Sequence, residues 1–244
     1  MGVVCGGKGD QMEELRQIQV KREVLAENTK EADAFRALRK TAGTLYTDVM
    51  ASPGAGKTTL LLALIKQLRD DAAAAGEHEP RLGVIEADLE SMVDALKISE
   101  AGVASVELNT RGVCHVEMGM VEKAFAAFGE KGDGFEYLFL ENIGNLVCPA
   151  EFDTGAHTRV MLLSVPEGYD KVYKYPPMFA VVDALIVTKC DYLPLNPDFD
   201  MEKLREQARI LNPGLEIFVT SARTGEGIPE LAAWMRARRE KLLG

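Results

Sequence analysis

The segment Ala51-Ser52-Pro53-Gly54-Ala55-Gly56-Lys57-Thr58-Thr59 carries the residue types that bind a polyphosphate. Glycines on either side of Ala55 let the backbone curl so that successive N–H groups face one anion. A helix starting there adds the partial positive charge of its N-terminus. Lys57 reaches the β- and γ-phosphates, and the Thr58 hydroxyl, with Thr59 behind it, ligates Mg²⁺. The usual G-x-x-x-x-G-K-[ST] pattern is broken at its first position, where Ala51 stands. Alanine is small enough to begin that turn if its φ stays negative.

Two carboxylates extend the phosphoryl-transfer set. Glu141 closes an apolar run and precedes Gly144 by three residues. A magnesium and γ-phosphate sensor needs this spacing: the carboxylate orders Mg²⁺, directly or through water, while the glycine N–H approaches the γ-phosphate. An acidic helix N-cap would explain Glu141 equally simply. Asp88 ends another strand-like run, at the carboxyl edge where open α/β sheets bind ligands.

Base recognition is assigned to Thr188-Lys189-Cys190-Asp191, about 130 residues beyond the phosphate loop. Asp191 can accept from guanine N1–H and its exocyclic amino group, whereas adenine offers no donor on that edge. The Lys189 stem lies along the base, and backbone N–H groups of Ser221-Ala222-Arg223 meet the guanine carbonyl. Thr188 replaces the usual asparagine, keeping a hydroxyl but losing the amide. That predicts weaker bracing between loops with specificity for GTP over ATP retained.

Cys114 and His115 are adjacent in a loop, and Cys148 lies seven residues beyond Glu141. Thiolate and imidazole are borderline ligands suited to Zn²⁺ and Ni²⁺. Three ligands per chain, with Glu117 or water beside them, fall short of the four protein ligands of structural zinc, and a two-fold dimer would double every ligand. A cysteine in Leu-Val-Cys-Pro also fits a small core hydrophobe. Spacing alone leaves both readings open. Cys5 is a lone thiol, and one thiolate cannot hold a metal.

The elements that position these groups follow from apolar periodicity and turn residues. Strands are predicted over 45–50, 81–86, 105–109, 137–140, 159–165, 184–188 and 216–220. Helices are predicted over 60–68, 92–99, 117–128, 202–211 and 229–242, with Gly76 as a helix stop. Asp48 is the one residue of the first strand that argues against full burial. A loop over 166–177 holds Lys171 and Lys174. Alternating strands and helices imply a doubly wound α/β fold, its sheet mostly parallel with helices on both faces. Residues 1–40 read as a helical N-terminal arm of one or two amphipathic helices, and residues 41–244 as the P-loop domain carrying the metal loops.

The chain of 244 residues has a formal net charge of −10, which argues against nucleic acid as a main partner. No apolar run approaches the roughly 20 residues of a membrane span, and the first residues show no signal-peptide core, so a cytoplasmic protein is expected. Four scattered cysteines do not make a disulfide framework.

Ser52 through Thr59, Cys114-His115, Glu141 through Ala150 with Phe152-Asp153, and Asp170-Lys171 through Lys174-Tyr175-Pro176 together resemble the hydrogenase nickel-incorporation GTPases, the HypB family. The resemblance covers residues 20–240 and is most specific in the Glu-Asn run with its Cys-Pro. It implies a doubly wound GTPase activated by dimerisation. GTP hydrolysis to GDP would gate nickel delivery to the large subunit of [NiFe]-hydrogenase, with a nickel chaperone as partner. It implies Ni²⁺ or Zn²⁺ on Cys114, His115 and Cys148 at a homodimer interface promoted by GTP and metal. It also matches Asp88 and Glu141 to acidic positions around magnesium. Some members carry an N-terminal cysteine cluster or a His-rich stretch; this chain has Cys5 alone and no histidine before His78, so neither tight N-terminal nickel binding nor storage is implied. The competing readings are delivery GTPases for urease or for a cobalamin-dependent mutase, and a small-molecule kinase. A kinase lid would need arginines, and only Arg111 and Arg159 lie near candidate loops.

Overall fold

All seven residues of β1 (Leu45–Ala51) are buried, which requires neighbours on both edges and both faces. The computed structural model describes residues 8–88, 93–110 and 112–244, with side chains from residue 23 onward apart from 88 and 93–96. Cys5, Arg111 and the Asp88 side chain lie outside the described residues.

β1 sits mid-sheet in the order β3-β2-β4-β1-β5-β6-β7, formed by β2 (Leu82–Asp88), β3 (Ala104–Asn109), β4 (Tyr137–Gly144), β5 (Thr158–Ser164), β6 (Ala184–Thr188) and β7 (Glu216–Val219). All neighbours run parallel. The strand order reverses at β1, so the carboxyl ends of β1 and its neighbours open a crevice for ligands. β4 extends beyond its apolar run through Glu141 to Gly144 because β1 continues to pair with it, Val49 with Glu141 and Ala51 with Gly144.

One face is covered by α2 (Lys57–Ala75), α3 (Val93–Glu100) and α8 (Ile228–Leu243), through buried residues such as Leu61, Ile65, Ile98 and Leu231. Each such side chain contributes about 1.5–3 kcal/mol on burial. α2 begins at Gly56 and stops at Gly76, both left-handed, and the Gly76 N–H closes on Ala72 and Ala73 carbonyls. The opposite face carries α4 (Met118–Ala126), and further along α5 (Lys171–Lys174), α6 (Pro176–Val181) and α7 (Met201–Leu211). The stretch expected as a loop over 166–177 therefore contains helix, with Pro176 preset at a first turn.

α1 (Lys8–Thr41) is one continuous helix. Its last turns enter the core of the α4 face: Ala32 and Phe35 are buried, and Phe35 meets Tyr46 and Phe125 edge to face.

Asp48 departs from expectation. It is fully buried, on the α4 face of β1. It accepts hydrogen bonds from Asn142 Nδ2 and Thr154 Oγ1, which is what allows a carboxylate there.

Candidate nucleotide and metal site

The phosphate loop leaves β1 at Ala51 and enters α2 at Lys57. Gly54 and Gly56 have φ of 76° and 94°. Lys189 is the one described non-glycine residue with positive φ, so Ala51 meets the condition its position sets. The Thr58 hydroxyl donates to Glu141 Oε1 at 2.8 Å, and both side chains are buried. A hydroxyl and a carboxylate converging at the strand ends are hard oxygen donors that fit Mg²⁺. Gly144 lies against the loop: a Cβ there would stand 2.8 Å from Pro53 Cγ and 3.0 Å from Pro53 N. Asp88 ends β2, two strands from β1 in the same sheet.

At the other end of the crevice Thr188 Oγ1 donates to the Ala55 carbonyl at 2.8 Å, and Lys189 Nζ to that of Gly54 at 2.7 Å. The threonine hydroxyl thus supplies one buried link between the base loop and the phosphate loop without an amide. Asp191 Oδ1 accepts from Ser221 Oγ at 2.7 Å, and Arg223 Nη1 stands 3.6 Å from Oδ2. Ser221's N–H is engaged by the Glu226 carbonyl, so Ala222 and Arg223 are the remaining backbone donors for a base. A cavity of about 310 Å³ lies between Gly56, Thr59, Lys189, Asp191, Ala222 and Arg223. Cys190 faces the core, and burial, then Glu226, push its thiol up to about 11.

The residues predicted to ligate metal come together from two loops. Cys114 follows β3, and Cys148 opens the 3-10 turn Cys148–Ala150 after β4. Their sulfurs are 3.0 Å apart, and Cys114 Sγ is 3.9 Å from His115 Nδ1. All three donor atoms lie within 4.8 Å of one another, a soft N/S set that fits nickel or zinc. Hydrogen bonding to Cys148 pushes the Cys114 thiol above its ordinary value. Glu117 is not on the sulfur side of the ring: its Oε1 meets His115 Nε2 at 3.1 Å, leaving Nδ1 toward the cysteines. Phe152 stacks on the imidazole, centroids 3.8 Å apart and planes 17° apart. Asn145 ties the loops, donating to the Cys114 carbonyl and accepting from Val147 N. Cys114 is exposed and Val147 is 57% exposed, so the cluster lies at the surface.

Sequence reasoning missed the support behind this cluster. Asn28 donates to the Asp153 carbonyl and accepts from Met118 N, and Arg36 Nη2 contacts both Asp153 carboxylate oxygens at 2.7 Å. α1 thereby holds both loops that carry the Cys114-His115-Cys148 cluster. The one hint was the charge among apolar residues in α1, which does not name its partners.

Residues 46–219 match the family described as CobW/HypB/UreG, nucleotide-binding domain. The chain is 41% identical over 224 residues to the hydrogenase maturation factor HypB of Azotobacter chroococcum mcd 1, covering 92% of this chain and 70% of that one. The chain belongs to the HypB family. The Escherichia coli K12 HypB is 38% identical over 229 residues, covering 93% of this chain and 75% of its own. The crystal structure of HypB from Helicobacter pylori in complex with nickel superposes with a TM-score of 0.80 at 31% identity, over 88% of this chain and 96% of that one. As a HypB-family member this is a GTPase of hydrogenase maturation, with the α/β fold of that family. No helix among the described residues is long and apolar enough to cross a membrane.

Proposed function

We propose that this protein binds GTP with Mg²⁺, hydrolyses it to GDP and phosphate, and uses that cycle to gate delivery of Ni²⁺ to [NiFe]-hydrogenase. The observation that carries the proposal is one short segment. Between residues 141 and 148 it places a carboxylate on Thr58, a glycine against Pro53 and a thiol 3.0 Å from Cys114. A ligand that moves the start of that segment moves its end.

Lys57 and the loop N–H groups hold the β- and γ-phosphates, and Asp191 selects guanine. Thr58 and Glu141 would hold the cation, and the family resemblance adds Asp88 to that set. Mg²⁺ supplies neutralisation of charge developing on the phosphate oxygens. Water attacks the γ-phosphorus, the bond to the β-phosphate oxygen breaks, and the water's protons remain on the phosphate released or pass to solvent, while the Gly144 N–H faces the γ-phosphate. The cargo ion, Ni²⁺ or Zn²⁺, is taken by Cys114, Cys148 and His115 Nδ1, and a second copy of the chain completes the donor set. Family membership supports, as part of this reading, a cytoplasmic setting, a nickel chaperone as donor and the hydrogenase large subunit as acceptor.

Anaerobic titration with nickel and with zinc, in GDP and in a non-hydrolysable GTP analogue, tests this. The expected result is nickel binding whose affinity depends on the nucleotide. Equal affinity in both states, or none, would overturn the gating.

A further inference from the structure

We infer that Asp48 is a positioning residue that links the γ-phosphate sensor to the nickel loop, through Asn142 on one side and Thr154 and Arg159 on the other. The inference rests on the gated-delivery reading above and names the part of the core that transmits it.

Asp48 stands in the central strand, aligned with Leu140 of β4 and Arg159 of β5, and its side chain is fully buried. A carboxylate in that position is tolerated only with partners. Asn142 Nδ2 reaches its two oxygens at 3.0 and 3.3 Å, and Thr154 Oγ1 donates at 2.8 Å. Burial pushes the carboxyl up, and the Arg159 charge on the next strand opposes this.

Asn142 and Arg159 each make a second hydrogen bond toward the site, and Thr154 is joined to it along the chain. Asn142 Oδ1 accepts the Ile143 N–H at 2.8 Å, fixing the backbone between Glu141 and Gly144. Arg159 Nη2 donates at 2.8 Å to the carbonyl of Pro149, the residue after Cys148. Thr154 follows Phe152 by two residues, and Phe152 is the ring stacked on His115. One buried carboxylate thus bears on the strand tip facing the phosphate loop, on the backbone beside one metal sulfur and on the support of the imidazole. Buried hydrogen bonds to a charge are costly to leave unmade, so a displacement at Ile143 and Gly144 is passed on to Thr154 and Arg159 before it is absorbed locally.

The test uses the full chain as wild type, Asp48→Asn and Thr154→Val. Nickel affinity is measured anaerobically by competition with a chromophoric chelator, in GDP and in a non-hydrolysable GTP analogue. The readout is the ratio of the two affinities, which a merely stabilising role would not change in a variant that still unfolds cooperatively. Wild type is expected to show a ratio in the roughly 5–150-fold range of coupled sites, and both variants a ratio below about twofold. GDP affinity should stay near the wild-type value in both. A wild-type ratio retained in the variants overturns the inference while leaving gated delivery standing. A wild-type ratio of one overturns gated delivery, and the inference with it. If Asp48→Asn does not fold, Thr154→Val, which removes one hydroxyl, decides by the same ratio.

Discussion

Lys57 supplies the only ammonium within the phosphate loop, and the loop's other donors are backbone N–H groups. Lys57→Ala should therefore weaken GTP binding by about 2–4 kcal/mol, the loss of charge-assisted contacts, and abolish turnover. Fluorescent-nucleotide titration checks it; wild-type affinity would remove the phosphate-loop assignment. Asp191→Asn should weaken GTP and admit XTP, because an amide donor matches the xanthine carbonyl and opposes the guanine amino group. Competition among GTP, XTP and ATP reads the outcome, and an unchanged preference for GTP would show that Asp191 does not read the base. Cys190, with its thiol near 11 and its side chain buried, should resist alkylation at neutral pH while exposed Cys114 reacts. Peptide mapping after iodoacetamide treatment distinguishes them, and labelled Cys190 in folded protein would contradict its burial. At this scale the residues that converge at the strand ends were legible, because phosphate, guanine and soft-metal chemistry each demand particular residue types at short spacing. The supports were not. Asp48 meets Asn142 and Thr154 across 94 and 106 positions, and no local pattern announces that a carboxylate in a strand has distant donors waiting. Glu117 is two residues from His115, yet spacing does not tell which ring nitrogen it meets or that Phe152 stacks on the ring.

β4 and the phosphate loop touch without room for a side chain at Gly144. Gly144→Ala places a Cβ within 3.1 Å of three Pro53 atoms, two of them backbone. Backbone cannot give way as a side-chain tip does, so the loop must shift. The expected outcome is loss of γ-phosphate discrimination: GTP-analogue affinity should fall about tenfold or more towards that of GDP, on the order of 1.4 kcal/mol. Isothermal titration with both nucleotides measures it, and a variant that keeps its preference for the triphosphate would show that Gly144 does not sense it. The element pattern was read well where apolar runs and turn residues alternate, as in β6, whose predicted and observed spans coincide at Ala184–Thr188. It was read short where polar residues belong to a strand for pairing reasons, as at Glu141 and Asn142. It was missed where helix forms from a local turn, as in α5, four residues long.

Across the whole molecule the Cys114-His115-Cys148 cluster offers three donors near the surface, with Cys114 and Val147 exposed, and the proposed function has a second copy complete it. A net charge of −10 adds repulsion between two copies at low salt. The direct measurement is sedimentation of wild type and Cys148→Ala, in GDP and in a GTP analogue, with and without nickel. Gated delivery predicts that wild type dimerises most strongly with analogue and nickel together, each strengthening the other's effect by a coupling on the order of 1–3 kcal/mol, and that Cys148→Ala loses the nickel effect. Wild-type association indifferent to both nucleotide and nickel would contradict it.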